Sequence, residues 1–256
     1  IAAWTVLSQV LWVIVAVSPI PASLTVVVAV VLFALEIGVP FLIERKAGGT
    51  PWHPHHLAER YALLTIIALG EIVVGTAETV RVLHASHGWT PEVMLVLLAG
   101  VSLAMGLWWV YFSVPFGDIL HRHRDRLFRF TYPHMLLYFS IAGVGAGLHA
   151  AAYQIEGEST LGVPGTIVAT ALPTAAFIVL VFVLITGLTS HRSLERFHLG
   201  EILVMFAVLV LGVALTALGA PLAVGLGVVM LAPWVMVVGY EWLGYRHLNE
   251  WIAQDT

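Results

Sequence analysis

The sequence predicts an all-α fold, a polytopic transmembrane helical bundle of about eight spanning helices. Three observations carry that expectation. Of 256 residues, 10% are charged and 60% hydrophobic, whereas a water-soluble domain carries about 25% charged residues. The apolar residues fall in long unbroken runs, and a helix needs about 20 of them to cross a hydrocarbon core of about 30 Å. The basic residues sort to one side of the resulting topology. A membrane β-barrel would instead need segments of about 10 residues that alternate in polarity, and these runs do not alternate.

The first span is Ile1–Val17, stopped by Ser18-Pro19-Ile20-Pro21. It lacks the positive flank and small-residue cleavage site of a signal peptide, and an N-terminal segment is expected to precede it. The second is Ala22–Ile43, stopped by Glu44-Arg45-Lys46, and the third is Leu57–Val80. The fourth is Glu92–Phe116, with Pro91 in its first turn; the fifth is Thr131–Tyr153 and the sixth Thr166–Leu188. The seventh, Leu199–Gly219, and the eighth, Ala220–Trp242, are divided only by the turn at Leu218–Pro221. Gly143, Gly145 and Gly147, like Gly225 and Gly227, predict close helix packing. Trp108, Trp109, Tyr111, Trp52, Trp89 and Trp242 read as interface anchors.

With eight spans, ten of the eleven basic residues lie on one side: Arg45, Lys46, Arg60, Arg122, Arg124, Arg126, Arg129, Arg192, Arg196 and Arg246. Arg81 stands alone on the other. The positive-inside rule places the basic side, with both ends of the chain, in the cytoplasm, and Gln154–Gly165 outside. Eleven basic against fifteen acidic residues give no footprint for nucleic acid. The absence of cysteine excludes disulfides and thiolate chemistry.

Carboxylates inside spans usually face a protein interior and mark function. Glu36, Glu71, Glu78 and Glu201 are of this kind. At about 100° per residue, His56, Arg60, Ile67, Glu71, Gly75 and Glu78 form one stripe on the third span, and such a stripe is expected to line a crevice. Glu71 lies about 15 Å beyond Tyr61, near mid-membrane. Glu36 falls in the inner half of span two and could share a cavity with Glu71 if spans two and three pack together. The functional expectation is a proton or cation relay or a polar substrate site; a structural polar network is the other reading.

Histidines form a second set. His53, His55 and His56 precede Glu59, His191 precedes Glu195, and His198 precedes Glu201. The four-residue spacing of His55 to Glu59 and of His191 to Glu195 suits metal ligands on one helix face. It equally suits hydrogen-bonded pairs at an interface, and no metal is assigned. His134 opens span five, either as part of this region or as a packed core histidine. No nucleophile elbow, phosphate-binding loop or dinucleotide fingerprint occurs, so no catalytic set and no cofactor are assigned. The only lysine, Lys46, is in a loop.

The pattern His55-x-x-x-Glu59-Arg60-Tyr61-x-Leu63 returns 136 residues later as His191-x-x-x-Glu195-Arg196-Phe197-x-Leu199. This suggests four-helix internal repeats starting near 57 and 199 within one transmembrane domain over 1–256. The run from His56 through Arg60 to Glu71 resembles the signature of the bacterial low temperature requirement A family. Trp108-Trp109-Val110-Tyr111-Phe112 and Tyr132-Pro133-His134 are similar to its next landmarks. The resemblance implies a multi-pass protein of the bacterial cytoplasmic membrane, in contact with lipid and connected with growth in the cold. It fixes no activity. An N-terminal Glu-x-Phe-Phe-Asp-type motif of that family has no counterpart here, and Ser113 stands where the family tends to carry Asp. The leading functional expectation is a transporter or channel-like protein for a small solute or ion. Glu71 is its central group, with Arg60 and Glu59 setting the field and Glu36 as a second carboxylate. The runner-up is a membrane enzyme or lipid-handling factor working on headgroups at the histidine-rich end, and a structural membrane protein is the third reading.

Overall fold

The computed structural model describes residues 2–47, 51–189 and 195–244, which are almost entirely helical and contain no strand. Seven segments are long and apolar enough to cross a membrane, and an eighth apolar helix, α1 (Ala2–Val17), has 16 residues. In lipid each helix satisfies its own backbone, so the bundle leaves no polar edge facing the hydrocarbon.

The chain divides into two compact units, 1–52 and 53–256. The first holds α1 and α2 (Ala22–Ala47). Pro19 and Pro21 carry no N–H, so the chain turns there and α2 begins with Leu24 and Thr25 donating to the Pro21 carbonyl.

The second unit opens with α3 (Pro54–His87), a 34-residue helix. It is longer than the expected third span because hydropathy marks only its lipid-embedded part, while the flanking His, Glu, Arg and Ala residues still form helix. Pro54 starts it, and Gly88 ends it at φ 69°, a left-handed angle that glycine adopts without strain. α4 (Pro91–Phe112) is capped by Thr90, whose hydroxyl accepts from the Val93 N–H at 3.3 Å. The expected fourth span ran on to Phe116. It stops earlier because Pro115 cannot continue the ladder, and a short helix α5 (Phe116–Arg122) follows. α6 (Leu127–Glu156) runs through Pro133 and closes at Gly157, φ 77°. α7 (Gly162–Leu188) carries Pro173 in its interior. Arg126 donates to the Leu188 carbonyl at 2.7 Å, a cation at the negative end of α7.

α8 (Glu195–Ala217) is continuous, but the eighth span is two helices, α9 (Leu222–Val229) and α10 (Ala232–Gly239). Pro233 has no N–H to donate to the Val229 carbonyl, so the helix stops and restarts. Ser102 of α4 braces the break, donating to the Met230 carbonyl at 3.5 Å and accepting from Trp234 Nε1 at 2.8 Å.

Packing follows the small residues. Gly147 lies against the backbone of Ala169 and Thr170, Gly143 against Pro173, and Gly225 against Ile167 and Thr216. At Gly145 and Gly227 a Cβ would meet nothing within 4 Å among the described residues, so each glycine cluster has one packed and one open face. The buried threonines Thr65, Thr76, Thr170, Thr174 and Thr216 each donate to a carbonyl four residues back. These hydroxyls therefore need no partner on another helix.

Candidate functional site

α3 shows two faces. Thr65, Leu69, Ile72, Thr76, Thr79, Val80 and Leu83 are buried, packed toward α4 and α6. His56, Arg60, Ile67, Glu71 and Glu78 are exposed. The expected stripe is thus real as a helix face, but it turns away from the core of the second unit instead of lining it. The reason is periodicity: the apolar and threonine positions, offset by about half a turn, claim the packed side.

Glu71 sits halfway along α3. Among the described residues neither Glu71 nor Arg60 makes a hydrogen bond or ion pair. Glu59 Oε2 lies 3.8 Å from His56 Nδ1, with both side chains well exposed. Glu78 is held by Arg81 one turn on, through bonds of 2.6 and 2.8 Å. Arg81 therefore works locally as the partner of Glu78.

Glu36 belongs to the first unit. Its Oε1 accepts from Gln9 Nε2 at 2.7 Å and its Oε2 from Trp12 Nε1 at 2.9 Å. Ser8 Oγ lies 3.3 Å from Oε1 but is closer, at 2.9 Å, to the Thr5 carbonyl, and its single proton serves one of them at a time. Glu201, on α8, packs against Gly239 of α10, where any side chain would collide with the carboxylate.

His134 is fully buried. Its Nδ1 lies 2.7 Å from the Phe130 carbonyl, which can only accept, so Nδ1 carries the proton. Nε2 is then an acceptor, and the Tyr111 hydroxyl donates to it at 2.9 Å. Tyr61 packs edgewise on the imidazole at 4.7 Å between ring centres, and Phe130 packs tilted against it at 4.4 Å. Tyr138 and Thr65 both donate to the Tyr61 carbonyl. Tyr111, expected at the membrane interface, is instead 2% exposed and part of this core network. It follows Leu103 and Leu107 at helical spacing, and that spacing is the signal that places it on the buried face. Ser113 donates to the Trp109 carbonyl and its own carbonyl accepts from Tyr240.

The histidine-rich end gathers His53, His55 and His56 of the α3 start with His121 of α5, at ring separations of 4.8 to 5.8 Å. Partial desolvation, and then the positive potential of His56, His55, Arg124 and His121, hold the His53 imidazole below its ordinary pKa. Among the described residues no three His, Asp or Glu side chains converge as a metal ion would require. The spacing of His55 to Glu59 therefore does not extend to a ligand set here. His191, and the side chains of Glu195, Arg196 and His198, lie outside the described residues.

At the opposite end of α3, a cleft of ≈ 130 Å³ opens between α3 and α6, lined among others by Glu78, His149, Tyr153 and Glu156. Residue spacing alone did not single out Gln9 and Trp12 beside Glu36, the Tyr111–His134 pair, or His149. Each is defined by a contact between helices, which no single-helix periodicity contains.

Neither the curated proteins nor the solved structures provide a match to the chain. The family model described as bacterial low temperature requirement A protein (LtrA) matches residues 1–233. That match covers most of the sequence, including α3 and the Tyr111–His134 pair: the chain belongs to the bacterial low temperature requirement A family, a family of multi-pass membrane proteins.

Proposed function

We propose that the protein moves protons or a small cation across the bacterial cytoplasmic membrane, with Glu71 as the central titrating group. One observation carries the reading. Glu71 stands at the middle of a spanning helix, in a chain whose eleven lysines and arginines all lie near span ends or in loops. A charged side chain at mid-membrane costs about 2.5–3.5 kcal/mol on insertion scales, and no basic residue of the described spans sits at that depth to offset it. The charge must be met by a proton or a mobile cation. Such a site favours cations over anions. Arg60 and Glu59 flank the stripe at one end, and Glu78 with Arg81 at the other. Glu36 is a second intramembrane carboxylate with its own donors.

The test is proton flux into liposomes containing the purified full-length protein, followed with an entrapped pH-sensitive dye. Glu71→Gln keeps shape and hydrogen bonding but cannot ionise. It should insert and melt like the wild type, yet lose flux at least tenfold. Full flux in Glu71→Gln between about pH 5.5 and 8 would overturn the reading. So would a wild-type protein that carries neither protons nor Na⁺ or K⁺.

A second reading, action on lipid headgroups, draws on the cluster of His53, His55, His56 and His121 beside Arg122 and Arg124. Loss of cold-growth complementation in His55→Ala with proton flux intact would favour it.

A further inference from the structure

We propose that His149 is the relay group that passes protons between Glu71 and the cleft at the far end of α3 and α6. The inference rests on the reading of Glu71 given above and adds the route by which that carboxylate is loaded.

The geometry begins at Gly75. A methyl group built there would sit 3.3 Å from His149 Cε1, so the imidazole lies over the α3 backbone at a gap left by a missing side chain. Gly75 follows Glu71 by four residues and precedes Glu78 by three, all on one helix face. His149 therefore lies between the two carboxylates in depth, about 6 Å from the level of Glu71 and about 4.5 Å from that of Glu78. Side-chain length and one bridging water cover such gaps. The ring also lines the cleft that holds Glu78, Tyr153 and Glu156. A polar track thus climbs from mid-membrane to the helix ends.

The chemistry of the ring suits the position. Nδ1 faces the Gly145 carbonyl at 3.2 Å and donates to it, which leaves Nε2 as an open acceptor. A proton arriving in the cleft leaves an oxygen, of hydronium or of a protonated carboxyl, and forms the Nε2–H bond. The imidazolium then gives up that proton to an ionised Glu71 and returns to the neutral ring. No electron moves and no covalent bond between heavy atoms changes.

Glu78, Tyr153 and Glu156 share the cleft with His149. α3 also carries Glu71 on the same face and Arg81, His84 and His87 further along, and α4 has Glu92 at the same end. α7, the other helix packed on α6, has no titratable residue between Gly162 and Leu188. Carboxylates outnumber the single arginine, and Arg81 is already bonded to Glu78.

Four proteins in the liposome assay decide the matter: wild type, Glu71→Gln, His149→Gln and His149→Ala, each checked for thermal stability. His149→Gln should melt like the wild type, lose flux about tenfold and lose the pH dependence of what remains. His149→Ala should regain flux when free imidazole is added, a rescue that a merely structural histidine would not show. Should Glu71→Gln be inactive while His149→Gln runs at full rate with an unchanged pH profile, the relay is wrong and Glu71 stands. A slower His149→Gln with an unchanged profile and no imidazole rescue makes His149 structural and also overturns the relay. Full activity of Glu71→Gln overturns the reading beneath it.

Discussion

Glu36 shows how a single residue can be identified from sequence while its meaning is not. An acidic residue inside an apolar span is visible to anyone counting charges. The Gln9 amide and the Trp12 indole that bond it are 27 and 24 residues away on another helix, and nothing in the spacing of either helix joins them. The contact gives a sharp expectation. Glu36→Gln offers one oxygen where two now accept, and its amide N–H₂ must face the Trp12 or Gln9 donor. A lost hydrogen bond and a half-buried donor left facing a donor cost about 1 kcal/mol. The variant should melt at a lower temperature in detergent, whereas Glu158→Gln, on the exposed turn after α6, should not. Equal melting of the two would mean the Glu36 bonds are not made in the folded protein. Glu71 presents the opposite case. Its position was legible because depth follows from counting residues. The direction it faces was not, because the stripe of charge and the stripe of threonine on α3 compete for the packed side.

Among elements, the hairpin of α6 and α7 is the best defined. Gly147 meets the Ala169 carbonyl and Thr170 Cα at 2.6 and 2.7 Å from where a Cβ would be. Both are backbone atoms of α7 and cannot move aside without shifting the helix. Gly147→Ala should therefore separate the pair and lower stability by about 1–3 kcal/mol. Gly145→Ala, with nothing within 4 Å, should be neutral or stabilising by up to about 1 kcal/mol, the gain in helix propensity. A urea or thermal melt in detergent separates the two outcomes, and equal effects would contradict the packing. The glycine-rich run announced close packing without saying which glycines take part. The same limit applies to the last span, where hydropathy is continuous across Met230 and Leu231 although Pro233 breaks the helix. Hydropathy measures the solvent a segment prefers and says nothing about the continuity of its hydrogen bonds.

For the whole molecule, the apolar runs and their flanking charges made the all-α membrane fold legible, because both follow from the bilayer and neither needs a knowledge of neighbours. The orientation is a prediction of the same kind. Arg124 should face the cytoplasm and Ser159 the outside. Since the chain has no cysteine, Ser159→Cys and Arg124→Cys report cleanly. An impermeant thiol reagent on intact cells should label only Ser159→Cys, and labelling of Arg124→Cys alone would invert the topology. Glu71 lies eleven residues after Arg60 and ten before Arg81, so the two arginines stand about 32 Å apart along the helix, close to the thickness of the hydrocarbon core. They act as a ruler. A thinner bilayer must tilt α3, and a thicker one must stretch or thin locally to keep both guanidinium groups in the headgroup layer. Because Glu71 is the midpoint of that ruler, it is also the pivot of any tilt. On the function proposed above, hydrophobic mismatch would change the angle of the helix and the depth of its ends and leave the carboxylate at mid-membrane.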